Sequence, residues 1–195
     1  MGEPSARGRM TRDDAWTLLR EYTTKPGLIT HALAVEAALR AYAGKLGGDP
    51  DTWGLVGLLH DFDYERWPTP EDHPFRGVEI LAARGYPAWF RRAILSHAGY
   101  SGVARESSLE QALFACDELC GFLVACALVA PDRSLESVRV ESVRRKLKSK
   151  GFAASVSRDD IAHGAAALGV DLDEHIAFVL DALRPVGPEL GLAPR

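Results

Sequence analysis

Helix starts and stops punctuate this chain from end to end, while strand-type alternation of apolar and polar residues is nearly absent. Thr11 is suited to cap a helix running to about Tyr22, which Lys25-Pro26-Gly27 breaks. A second helix is expected from about Leu28 to Leu46, closed by Gly47-Gly48. Asp49-Pro50 pairs a cap with a first-turn proline and opens a helix that runs through WGLVGLL into His60-Asp61. The acid- and proline-rich stretch Arg66 to Asp72 reads as a loop, and Pro74 and Pro87 mark two shorter helices, the first ending at Gly85. Ser107 with Glu110 forms a capping box for a long helix reaching Ala130, where Pro131 stops it. Ser157 with Asp160, and Asp171 with Glu174, open the last two helices, and the chain from Pro185 onward reads as loop.

No repeat, linker or composition shift divides the 195 residues. The expectation is one all-α domain, a single compact helical bundle over residues 11–185, with a disordered tail at 1–10 and a C-terminal tail at 186–195. Its net charge of −4 gives no global basic field, so a nucleic-acid polymer is not expected as a partner. Cys116, Cys120 and Cys126 are odd in number and crowded into one apolar segment, which argues for a reducing, cytoplasmic setting rather than a disulfide framework. The polar start MGEPSARGRM lacks an apolar signal region, and FLVACALVAP is too short for a span, so no membrane association is expected.

Helical phase then singles out a few polar residues. His31 shares a face with Val35, Ala38 and Tyr42; His60 with Trp53, Val56 and Gly57; and Asp117 with Leu113, Cys120 and Val124. One inward histidine is commonly a hydrogen-bonded core residue, and one inward aspartate commonly pairs with an arginine. Several helices each aiming an imidazole or carboxylate inward point instead to a divalent cation, which offsets the desolvation of all of them at once.

The ordered set of a histidine on one helix, an adjacent His-Asp ending another and a distant aspartate on a long helix resembles the HD-domain superfamily of metal-dependent phosphohydrolases. His31, His60, Asp61 and Asp117 occupy those positions. The stretches LLHDFDYERW, EDHPFRGVEIL, AILSHAGY, ACDELCGFL, SVRRKLKSKGFA and GVDLDEHI extend the resemblance, over most of residues 28–192, to small bacterial HD hydrolases. The resemblance implies a phosphoester hydrolase that uses a metal-activated water on a nucleotide or another small phosphorylated metabolite. The alternatives to that first reading are a di-iron oxygenase, against which Tyr64 in place of a lysine argues weakly, and a non-catalytic metal-binding sensor, against which the intact ligand set argues.

Family members with two metals add two histidines between the His-Asp pair and the distant aspartate, which makes His73 and His97 candidate ligands of a second ion. The plain alternatives are a helix cap before Pro74 for His73 and a helix-end cation for His97. With imidazole and carboxylate donors and no thiolate, one or two ions of Mn, Fe, Ni, Co or Mg suit the set better than a structural zinc. Beyond serving as ligand, Asp61 is expected to take part in catalysis together with Asp63 and Glu65; Asp63, Glu65 or Glu118 would act as proton donor or as a partner that orients a ligand, and the bland alternative for all three is a surface acid. Where many family members read His-Asp-Ile-Gly-Lys, this chain reads His60-Asp61-Phe62-Asp63-Tyr64, so the lysine is replaced by Tyr64. Arg76, Lys146, Lys148 and Lys150 are the candidates for holding substrate phosphate; the bland alternative for RRKLKSK is a solvated helix face, and for Arg76 a pair with Glu79.

Overall fold

A computed structural model describes residues 10–194, so the expected N-terminal tail lies, but for Met10, outside the described residues. These residues hold nine α-helices, three short 3₁₀ turns and no strand, as the all-α reading requires.

The caps set where each helix begins. Thr11 closes a reciprocal capping box with Asp14 at the start of α1, Arg12–Tyr22. Helix α2, Pro26–Leu46, begins at the proline that the sequence reading took only as a break, because a first-turn proline lacks just the N–H that would be spare there. Gly47 at φ +76° ends α2 in the left-handed conformation that glycine adopts without steric cost. Asp49 caps α3, Pro50–Leu59, by accepting from the Thr52 N–H. The helices α4, Phe75–Ala83, and α5, Ala88–His97, follow. Ser107 and Glu110 form the expected capping box of α6, Ser108–Leu128. The chain closes with α7, Val140–Leu147, α8, Arg158–Ala167, and α9, Leu172–Leu183.

The core is built on α2, α3 and α6. Every residue of α3 from Trp53 to Leu59 is buried, so this helix has no solvated face and is held by neighbours on all sides. Its contact with α2 is close because Gly57 faces the α2 backbone, where a Cβ would sit 2.8 Å from the Val35 carbonyl oxygen. That approach carries His60, three residues on, toward the first turns of α2. Helix α6 lies against α2, α5 and α8. By length and composition it is apolar enough to cross a membrane, yet it is the central helix of the core and carries Glu110, Asp117 and Glu118. The three cysteines are free and buried on it.

The segment after Pro185, expected as a tail, docks on the bundle. Leu190 and Leu192 are buried, and the Leu192 carbonyl accepts from the Leu135 N–H at 3.1 Å. Two apolar side chains spaced two apart in a short run carry no periodicity from which that docking could be read.

Candidate metal centre

Five segments deliver six side chains to one place. His31 comes from the second turn of α2 and Asp117 from the middle of α6. His60 is the C-cap of α3 with Asp61 next in the turn, His73 stands just ahead of α4, and His97 is the last residue of α5. His60, His73 and His97 are buried, whereas Asp61 and Asp117 keep 21% and 20% of their side-chain surface on the wall of a cleft of about 500 Å³.

The ligand atoms form two groups that share Asp61. In the first, His31 Nε2 lies 3.2 Å from His60 Nε2 and 3.0 Å from Asp117 Oδ1, with Asp61 Oδ2 at 3.5 Å from His60 Nε2. In the second, His73 Nε2 and His97 Nε2 are 3.3 Å apart and each is 3.2 Å from Asp61 Oδ1. One carboxylate therefore turns a different oxygen to each group, as a bridging ligand does.

Hydrogen bonds on the far side of the rings fix which nitrogen faces inward. His60 Nδ1 donates to the Gly57 carbonyl at 2.7 Å, His97 Nδ1 donates to the Ile94 carbonyl, and His73 Nδ1 donates to Asp63 Oδ1 at 2.8 Å. With the protons held at Nδ1, the neutral rings present bare Nε2 lone pairs to one another and to carboxylate oxygens. Acceptors crowded in this way call for positive charge between them.

The titration tendencies carry the same message. Burial pulls His60 down, but the Asp61 and Asp117 carboxylates outweigh it and push the ring up to about 9. Burial likewise opposes protonation of His73, and hydrogen bonds to Asp61 and Asp63 raise it to about 9. Although burial raises them, Asp61 and Asp117 are held well below the usual carboxylate range by the His60 charge and its neighbours. Burial and the adjacent Asp117 push Glu118 up to about 7. The cluster thus draws in protons, and a divalent cation satisfies the same demand.

Asp63 is fully buried and does not line the cleft; it accepts from His73 and, through Oδ2, from the Gly77 N–H at 2.7 Å, so of its expected roles the geometry fits the partner that orients a ligand and not the proton donor or the surface acid. Glu65 is corrected: it faces the α1–α2 connection, accepting from the N–H groups of Thr24 and Lys25 at 2.8 and 2.9 Å. Those backbone donors, Lys25 first, hold its carboxyl down at about 2. Arg76 is exposed and pairs with Asp72 and Glu79. Lys146 donates to Ser142 Oγ, and Lys148 borders a separate surface groove with Arg144 and Arg145. Lys150 is exposed. None of these four cations lines the cleft: Arg76 is held on the surface of α4, Lys146 is drawn to Ser142 and the Phe152 ring, and Lys148 and Lys150 follow the C-terminal end of α7, whose apolar anchor is Val143.

The cleft wall includes residues that the sequence reading passed over: Tyr100, Phe114, Ser155 and Asp160, beside Tyr64 and Glu118. Phe114 was legible in principle, since it precedes Asp117 by one helical turn. Asp160 was read only as half of a cap, and the placement of Ser155 depends on a turn between α7 and α8 that no motif announces.

An all-α bundle here brings to one cleft an ordered histidine and aspartate set that could hold a metal ion. Residues 28–121 match the model of the HD domain, a span that contains all six side chains, and this part of the chain belongs to the HD-domain superfamily. No curated protein and no solved structure matches the chain.

Proposed function

We propose that the chain is a metal-dependent phosphohydrolase that cleaves a phosphoester of a nucleotide or another small phosphorylated metabolite. The observation that carries this reading is the pair of ligand groups meeting on the two oxygens of Asp61. His31, His60, Asp61 and Asp117 would hold one divalent ion, and Asp61, His73 and His97 a second. Bound there, such ions lower the pKa of a coordinated water and withdraw charge from phosphoryl oxygens.

The chain's own groups supply the rest. With two carboxylates among the ligands, two divalent ions leave a net charge of about +2, which attracts a phosphoryl group. No lysine or arginine lines the cleft among the described residues, and Arg105 stands behind the wall, stacked on Phe114, so the metal centre is the positive charge that meets the substrate directly. That favours a compact phosphoester over a polyphosphate, whose additional charges would stand without partners. Tyr64 and Tyr100 border the cleft with phenolic groups that can donate to a substrate oxygen, and Phe114 gives the wall an apolar face.

The test is phosphate release from a panel of phosphomonoesters and phosphodiesters, using protein stripped by a chelator and reloaded with Mn, Ni, Co, Fe or Mg. Release that returns with metal and is abolished in Asp61→Ala supports the reading. Release that survives both chelation and Asp61→Ala overturns it. Substrate-dependent oxygen uptake by the iron-loaded protein, without phosphate release, overturns it in favour of the oxygenase class.

A further inference from the structure

Within the second ligand group, one histidine owes its orientation to a side chain and not to the backbone. His60 and His97 donate from Nδ1 to carbonyl oxygens of their own helices, partners that no substitution removes. His73 donates to Asp63, a fully buried carboxylate whose second oxygen is occupied by the Gly77 N–H at 2.7 Å. The lack of a side chain at Gly77 is what admits this carboxylate, since a Cβ there would lie 2.8 Å from Asp63 Cγ.

A carboxylate only accepts, so in the neutral ring that a cation requires the single proton sits on the nitrogen facing the buried Asp63, and the other nitrogen, directed at Asp61 and His97, is the one free to act as ligand. We propose that Asp63 is the positioning residue that decides whether the chain takes up a second cation, by holding His73 in the tautomer whose Nε2 can act as a ligand. The inference rests on the metal-centre reading and is independent of the reaction catalysed there.

Asp63→Asn tests this without removing any candidate ligand. The Gly77 N–H still needs an acceptor and retains the amide oxygen, which turns the amide NH₂ toward His73 Nδ1. Nδ1 then accepts, the ring proton moves to Nε2, and that proton occupies the direction in which an ion would bind.

The experiment is a calorimetric titration of the stripped full-length chain with nickel, together with ¹⁵N spectra of the His73 ring recorded with the ring neutral. Wild type is expected to bind two equivalents. In Asp63→Asn one equivalent should persist, while the other weakens by about 10- to 100-fold, the loss typical of a partner that orients a metal ligand. The two ¹⁵N resonances of His73 should exchange protonated and unprotonated character. His73→Ala should lose the same equivalent, and retention of the first equivalent in both variants reports an intact fold. Two equivalents at wild-type affinity in Asp63→Asn, or an unchanged His73 tautomer, would sink the proposal. So would a wild type that binds a single equivalent, whereas a wild type that binds none refutes the metal centre itself.

Discussion

Stripping the protein of metal should make its stability depend on pH in a way that the loaded protein does not share. In the metal-free fold, His60 and His73 are each raised from 6.5 to about 9. A group whose pKa rises on folding contributes stability that is fully present below its unfolded value and is lost as pH climbs through the folded one. The window therefore runs from about pH 6.5 to just above pH 9. At roughly 1.4 kcal/mol per pKa unit, each ring is worth about 3 kcal/mol. Both rings draw on Asp61, so the pair amounts to less than twice that. In a domain of this size, each kcal/mol moves the midpoint by about 2–4 °C, which gives a fall of at least about 6 °C across the window. Metal ligation requires bare Nε2 atoms, so loaded protein has no such protons to lose, and its ions bind more tightly once they need not displace them. Scanning fluorimetry of chelated and nickel-loaded protein at the two ends of the window should show the gap between their midpoints widening with pH. Parallel curves would refute the reasoning, because they would mean that the carboxylates around these rings neither hold protons nor give way to a cation.

Two further outcomes follow from the packing. Gly164→Ala should destabilise the fold by about 1–3 kcal/mol, measured by denaturant unfolding, because the added Cβ would stand 2.5 Å from Ala115 Cα and force α8 off α6. Arg76→Ala, Lys146→Ala, Lys148→Ala and Lys150→Ala should each leave kcat/KM for any substrate of the metal-loaded protein unchanged, since none of these side chains lines the cleft; a tenfold loss in one of them would return that residue to the substrate site.

What could be read in the sequence was whatever its local chemistry declares. Caps, prolines and glycines announce themselves within four residues, so Thr11, Asp49, Ser107 and Asp171 open helices where expected. The inward phase of His31, His60 and Asp117 was legible because a helix fixes direction by counting. The direction of a basic run on a short helix was not. In RRKLKSK the apolar partners Val143 and Leu147 decide the facing, and only their packing against the bundle turns Lys148 and Arg145 away from the cleft. Glu65 was misjudged for a related reason: adjacency to Asp61 in the chain says nothing about side in a tight turn, and here the turn gives it to the Thr24 and Lys25 N–H groups.

The histidines at helix ends show how a local rule can be right in its premise and still mislead. A helix C-terminus carries spare carbonyls and a negative field, and from that His97 had a ready explanation as a favoured cation. Those same carbonyls do something more specific here. His60 and His97 each donate from Nδ1 to the oxygen three residues back, Gly57 and Ile94, which settles the ring proton on that nitrogen and leaves Nε2 free to face the cluster. The last turn of a helix is thus a ready-made orienting partner for a metal-binding imidazole. His73 stands ahead of α4 rather than at its end, where no spare carbonyl exists, and the chain meets the same requirement with Asp63. That difference explains why an acid at position 63 accompanies a glycine at 77, and why the second ligand group is the more vulnerable to substitution of a residue that is not itself a ligand.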